Sequence, residues 1–381
     1  MRASLFSAAF VAALVGFGST VALVLAAAQA LGATPGQTAS WVLAVALAKG
    51  IGSLGMSWWH RVPVVLAWST PGAALIAASE GVTMAQAVAA FLLAAGLIAL
   101  TGAMKPLGAL VARIPDGIAA GMLAGVLLPF CLKGVLAAKA MPEVVLPMVT
   151  VFALVRLRSP AWAVLAALAA GLGLGFGLGL AHLPATGFAL PRPEFVAPVW
   201  RWDVLIGLGL PLYLVTMASQ NLPGFAVMRA AGYEPPVRSA LAVTGGLSGL
   251  AALFGAHTIN MAAITAAICL GPDVHPDAKE RWRVGVVYGA IWIGLGLVSP
   301  FVSAVLAALP AELLAAIVGL ALLSPLTGAL AGAFTPDRTR FAAALTLAVT
   351  GSGVAAFGVG AAFWGLMAGL ALQGLERFRR Y

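Results

Sequence analysis

Charge is what this chain has least of. Of its 381 residues only 9% are Asp, Glu, Lys or Arg, against about a quarter in soluble domains. That scarcity excludes a soluble globular fold, because no interior of this size hides the 62% of residues that are hydrophobic. Cysteine is nearly absent: Cys131 and Cys269 both fall in apolar runs, which argues against a disulfide framework or a metal site and leaves two small buried hydrophobes. Four dispersed histidines give no clustered centre of the kind a membrane enzyme needs, so neither catalysis, a metal nor a cofactor is expected. The basic residues are scattered among loops without an aromatic-rich soluble face, so no nucleic-acid surface is expected either.

Long apolar stretches are what the chain does have, with a mean hydropathy of +1.05. A membrane span takes about 20 such residues. The first stretch, from about Leu5 to Leu31, exceeds a secretory signal's apolar core and is followed at once by another, so it reads as a first span. Polar or turn-forming breaks lie near 32–37, 60–63, 80–83, 104–115, 139–143, 156–160, 182–202, 231–238, 255–258, 271–283, 309–312, 334–340 and 355–358. These leave about fourteen segments, the pattern of an all-α polytopic membrane protein without a separate soluble domain. If the amino terminus is cytoplasmic, 16 basic residues, Arg61, Arg113, Arg156 and Arg338 among them, lie inside. Only Lys133, Lys139, Arg192 and Arg201 lie outside, and Lys49 is left within a span. The positive-inside rule then places both termini in the cytoplasm, here of a multi-pass protein of the cell (inner) membrane. The same loops supply an ordinary origin for the net charge of +9.

The two halves resemble each other. Leu23, Val24, Ala27, Gln29 and Leu31 recur as Leu214, Val215, Ala218, Gln220 and Leu222 (220 − 29 = 191), and Ile114 to Phe130 recurs as Leu309 to Pro325 (310 − 115 = 195). Seven spans per copy, an odd number, make the second copy enter the membrane from the opposite side. The chain then divides into a first repeat at 1–182, a Pro-rich outer linker at 183–202 and an inverted second repeat at 203–381. Inverted repeats recur among secondary transporters, although an old duplication without functional consequence leaves the same trace.

Two spans read as broken. Val62 to Trp68 is extended in character, after which Ser69 or Thr70 offers a cap and Pro71 a first helical residue. At offset 191, Leu253 to Ile259 precedes Asn260, again a cap residue, and an apolar run to Cys269. The expected elements are two strand-plus-half-helix spans whose amino termini face each other. Unpaired N–H groups there would suit an anion. A kinked helix at the first site and an unbroken one at the second is the alternative.

The stretches Trp68 to Ala74, Gln220 to Gly224 and Asn260 to Cys269, with Gly271, Pro272, His275, Pro276 and Asp277, resemble those of the BenE-type benzoate:proton symporters. That family is similar to nucleobase symporters, sulfate permeases and bicarbonate exchangers. The resemblance implies a fold of seven plus seven inverted spans, with spans 1–4 and 8–11 as core and 5–7 and 12–14 as gate. It implies a substrate site at Gln29, Ser69, Thr70, Pro71, Gly72, Gln220, Asn221, Thr258, Asn260 and Met261. Nucleobase symporters place a carboxylate on the eighth span, whereas this segment has the amides Gln220 and Asn221, which donate to an acid rather than repel it. An aromatic carboxylate imported with a proton by alternating access is therefore expected. A carrier or exchanger of sulfate or bicarbonate is the alternative, and a nucleobase symporter or non-transport protein fits less well. The partners are then this substrate, the proton and the lipid bilayer, and a homo-oligomer is compatible.

Individual residues keep two readings. Gln29 and Gln220 suit either binding or interhelical hydrogen bonds. Glu312 and His257 are the candidates for proton coupling, against a helix-dipole partner and a fixed hydrogen-bond donor respectively. Glu80 and Asp116 read as solvated. Trp68, Tyr213, Phe225 and Phe254 are candidate ring contacts, and Gly171, Gly173, Gly175, Gly177 and Gly179 suggest close helix packing. Lys49 stands apart, an intramembrane cation open to a functional or a snorkelling role.

Overall fold

The computed structural model describes residues 3–18, 20–104, 114–182, 190–262, 264–335, 337–357 and 359–378. It is mostly helical. The first half comprises α1 (Ala3–Gly18), α2 (Val21–Ala30), α3 (Pro35–His60), strand β1 (Leu66–Trp68), α4 (Thr70–Ala77), α5 (Met84–Ala103), α6 (Asp116–Ala140), α7 (Pro142–Arg158) and α8 (Pro160–Gly177). The second comprises α9 (Trp202–Ala230), α10 (Val237–Ala252), strand β2 (Ile259–Met261), α11 (Ile264–Leu270), α12 (Trp282–Leu297), α13 (Ser299–Ala307), α14 (Ala311–Phe334), α15 (Arg340–Gly351) and α16 (Ala361–Phe378). Six stretches among the described residues are long and apolar enough to cross a membrane, and a seventh counts if the pair around α12 and α13, bent by 58°, is one span.

Local chemistry sets the helix ends. Thr34 and Gln37 form a reciprocal capping box ahead of α3, with Pro35 in its first turn, and Arg61 closes the helix in the left-handed region at φ 55°. Ser69 caps α4 by accepting the Gly72 N–H at 3.1 Å. In α9, wide turns at Leu205–Gly209 and Met217–Asn221 precede Pro211 and Pro223. Each proline withholds an N–H from the preceding turn, and the helix widens to an i→i+5 bond, Leu210 to Leu205 and Leu222 to Met217.

At the centre, β1 and β2 pair antiparallel, Leu66 with Met261, Ala67 with Asn260 and Trp68 with Ile259. A two-stranded sheet leaves both outer edges unpaired, and here they lie among buried residues where water cannot serve. Side chains take its place. Ser57 bonds both the N–H and the carbonyl of Val64, Ser53 accepts from Leu66 N–H at 3.0 Å, and Tyr288 donates to the Leu66 carbonyl. On the other edge Ser248 accepts from Ile259 N–H and Asn221 accepts from Met261 N–H, both at 2.9 Å.

One expectation is corrected here. Asn260 does not cap the second half-helix; it is the middle residue of β2, and α11 begins at Ile264. A strand residue and a cap residue look alike in sequence, because each is a polar residue before an apolar run.

Around the sheet, α3 packs on α12 and α10 on α5, while α6, α14, α15 and α16 pack mainly on one another and α7 on α8. Close backbone approach at Gly134 and Gly319 joins α6 to α14, where a Cβ on either would lie 2.8 Å from the other's Cα. On α8, Gly171 and Gly175 face Met148 and Leu313, whereas Gly173 and Gly177 have open space, so only one face of that glycine series packs. Residues 190–201 are extended and tie the halves together through Val196 to Leu253, Val199 to Ala85 and Glu194 to Ser40; positions 183–189 of the linker lie outside the described residues.

Replacing Ser57 by Ala strands the N–H and carbonyl of Val64, at about 1–3 kcal/mol for an unsatisfied group. Thermal denaturation in detergent should show a clear fall in Tm for Ser57→Ala. Ser303, whose hydroxyl has no partner among the described residues, should tolerate alanine with little change.

Candidate functional site

A cavity of about 980 Å³ opens where the two strands give way to their helices. One wall is built by α1, α3, β1, α4, α9 and α11, through Gly16, Lys49, Trp68, Thr70, Gln220 and Thr265 among others. The opposite wall comes from α6, α8 and α14. Most of the lining is apolar or small. The helix ends Asp116, Pro160 and Gly332 also border it, so the cavity runs from the sheet to one end of the bundle.

Three of the residues expected at the site line this cavity: Thr70, Pro71 and Gln220. In the first turn of α4, Ser69 holds the Gly72 N–H and proline has none to give, which leaves the Thr70 N–H as the remaining donor of residues 70–72. Gln220 sits in the second wide turn of α9, so that Ala218, Ser219 and Gln220 in succession border the cavity. Asn260 Nδ2 approaches Gln220 Oε1 at 3.4 Å. With the amide oxygen engaged, the Gln220 NH₂ group is the end free to donate.

The other expected residues stand behind this layer. Ser69, Thr216 and Thr258 form a buried hydroxyl chain, with 3.0 Å between successive oxygens, that anchors the start of α4 to α9 and to the segment before β2. Gly72 admits no side chain there, since a Cβ would come within 2.7 Å of Ser69 Oγ. Asn221 turns toward β2, and Met261 is buried beneath Gly224, where a Cβ on that glycine would meet the Met261 Cβ at 2.5 Å. Asn260 reaches Gln220 but is not itself on the cavity surface.

Gln29 lies apart from the site. It is exposed in the last turn of α2, which ends at Ala30, whereas α9 continues past Gln220 to Ala230. Glu312 is likewise exposed, at the start of α14, away from the cavity. His257 is buried with both ring nitrogens occupied: Trp41 Nε1 donates to Nδ1 at 2.9 Å, and Nε2 lies 3.2 Å from the Ser69 carbonyl. Because Nδ1 must accept, the ring is the neutral Nε2–H tautomer and acts as a strut between α3 and α4. Tyr213 bonds Thr101 at 2.6 Å and Phe254 meets Phe195 edge to face, so of the four candidate ring contacts only Trp68 faces the cavity.

Lys49, whose role the sequence left open, also stands on this wall. It is 1% exposed yet lines the cavity, with Nζ 3.2 Å from the centre of the Trp292 ring and 4.9 Å from that of Trp68. Its signal in the sequence was a cation in mid-span with no acidic residue at matching depth.

This architecture, a multi-pass helical bundle with a cavity at two broken spans, is that of a membrane transporter. The fold is shared with the transmembrane domain of a cyanobacterial bicarbonate transporter, BicA, at a TM-score of 0.64 and 14% identity, covering 97% of this chain and 98% of that one. It is shared also with SLC26A9, at a TM-score of 0.62 and 14% identity over 97% of this chain and 64% of that one. The chain belongs to the BenE family of benzoate membrane transport proteins, which it matches over residues 1–375. It is 39% identical over 363 residues to the inner membrane protein YdcO of Escherichia coli K12, covering 95% of this chain and 93% of that protein. To a benzoate membrane transport protein of Acinetobacter baylyi it is 34% identical over 364 residues, 95% of this chain and 92% of the relative. It is thus a transporter and not an enzyme.

Asn221→Ala should lower thermal stability by about 1–3 kcal/mol, since Met261 N–H loses its acceptor. A loss of ligand affinity at unchanged stability would instead mean that Asn221 faces the ligand.

Proposed function

We propose that the protein imports benzoate or a similar aromatic monocarboxylate together with a proton, by alternating access. The observation that carries this reading is the end of the cavity at the sheet, where the Thr70 N–H and the Gln220 amide, both donors, meet the apolar surface around Trp68. Two donors suit the two oxygens of a carboxylate, and an aromatic wall suits a ring. The volume is in the usual range for small-molecule sites, roughly 300–1,000 Å³. Membership of the family and the 34% identical benzoate membrane transport protein support the same substrate class.

The frame for this cycle is a pair of inverted seven-span repeats. Equivalent elements begin at near-constant offsets: β1 and β2 (259 − 66 = 193), α4 and α11 (264 − 70 = 194), α6 and α14 (311 − 116 = 195). Equivalent strands that pair antiparallel are what a two-fold axis in the membrane plane produces. Spans 1–4 and 8–11 would form the core that carries the donors, and spans 5–7 and 12–14 the gate that supplies the opposite wall. With both termini cytoplasmic, as the basic loops suggest, Asp116, Pro160 and Gly332 lie at the inner end, so this conformation is open toward the cytoplasm.

Liposomes containing the purified protein should accumulate labelled benzoate under an inward proton gradient and lose that accumulation when a protonophore is added. Sulfate or bicarbonate uptake in place of benzoate would sink the reading, and benzoate uptake indifferent to the gradient would sink symport. Gln220→Leu should raise the benzoate KM roughly tenfold or more, the worth of a hydrogen bond to a charged group. An unchanged KM would remove Gln220 from the site.

A further inference from the structure

Lys49 has no resident counter-ion. Among the described residues it makes no hydrogen bond or ion pair, and its Nζ is surrounded by the rings of Trp292, Trp68 and Tyr288 at 3.2, 4.9 and 5.7 Å. Ring faces attract a cation but supply no neutralising charge.

No packed element supplies the missing negative charge. From α12, Tyr288 donates its hydroxyl to the Leu66 carbonyl at 2.9 Å, and Cys269 of α11 lies buried beside it. From the segment before β2, His257 is neutral and fully bonded. Neither strand, nor α2 or α13, carries a titratable side chain, and Arg238 of α10 is engaged with the Gly102 carbonyl. The acidic group on the cavity surface, Asp116, is exposed at the opposite end. A carboxylate at the Thr70 and Gln220 end of the cavity would supply that charge.

We propose that Lys49 is the group that couples the proton to the carboxylate. The proposal rests on the reading above, an aromatic carboxylate carried with a proton. In the empty outward-facing cavity the side chain is a free amine. When the carboxylate enters, the nitrogen lone pair takes a proton from the same aqueous mouth, forming one N–H bond and an ammonium–carboxylate pair of zero net charge. After the gate opens inward the carboxylate departs, the ammonium loses its counter-ion, and the N–H bond breaks as the proton passes to cytoplasmic water. One anion and one proton have crossed, and the carrier returns uncharged. A carboxylic acid in the core is then not required for coupling.

Two flux assays with labelled benzoate test this: net uptake under an inward proton gradient, and exchange of external for internal benzoate at equal pH. Lys49→Arg keeps a permanent cation, so exchange should persist while gradient-driven net uptake is lost, because the empty carrier cannot shed its charge. Lys49→Met should weaken benzoate binding on the order of a hundredfold, as expected for a buried charge pair deprived of one partner. Calorimetry of benzoate binding in buffers of different ionisation heat gives the proton count directly. It should show about one proton taken up per benzoate by the unaltered protein, as one amine accepts it, and none by Lys49→Arg. Gradient-driven accumulation that survives Lys49→Met or Lys49→Arg, or proton uptake that persists in Lys49→Arg, overturns the assignment. Unaltered protein that neither binds nor moves benzoate overturns the substrate reading beneath it instead.

Discussion

The structure depends on keeping a two-stranded sheet inside an apolar bundle. Each strand has one edge paired and one edge bare, and a bare backbone group away from water costs several kcal/mol. Ser53, Ser57 and Tyr288 close one edge, and Ser248 and Asn221 close the other. Every one of these side chains is buried, and the helices that carry them are thereby fixed in rotation about the sheet. Small residues at the contacts let those helices come near enough: a Cβ on Gly224 or Gly285 would press on β2 or on the Val64 carbonyl of the adjoining segment.

From this arrangement the cavity follows. The chain leaves the sheet into α4 on one side and α11 on the other, so backbone donors and small side chains cluster where a helix interior would otherwise be. Gln220 is brought to the same place by the wide turn ahead of Pro223, and Asn260, held within β2, reaches its oxygen. Polar strength is thus concentrated at one end of a mostly apolar cavity, the form expected of a site that must release its ligand as well as hold it. Lys49 is the one basic side chain among the residues that line the cavity.

Much of this was legible in the sequence where a residue type has one common use. The Ser69, Thr70, Pro71 series offered a cap and a first helical proline, the helix start that α4 has, and a constant offset between halves matched Gln29 with Gln220. The offset did not say where each helix ends, so Gln29, at the end of α2, and Gln220, in the middle of α9, have different surroundings. Asn221 and Asn260 were expected at the ligand from the family resemblance, and here their partners are strand backbone and Gln220. Ser53, Ser57 and Ser248 gave no signal, since a serine in a span looks like any small packing residue until the bare strand edge beside it is seen. Pro211 and Pro223 did carry a signal for the widened turns, as interior prolines in a long apolar span.

The position of a bound carboxylate tests the account most directly. A structure of the protein with 4-iodobenzoate, in which the iodine is located by its own scattering, should show the carboxylate within hydrogen-bond reach of the Thr70 N–H and the Gln220 amide, with the iodine directed toward the end of the cavity at Asp116. Iodine placed beside Gln29 or Glu312, or anywhere outside the space between the sheet and α14, would contradict it.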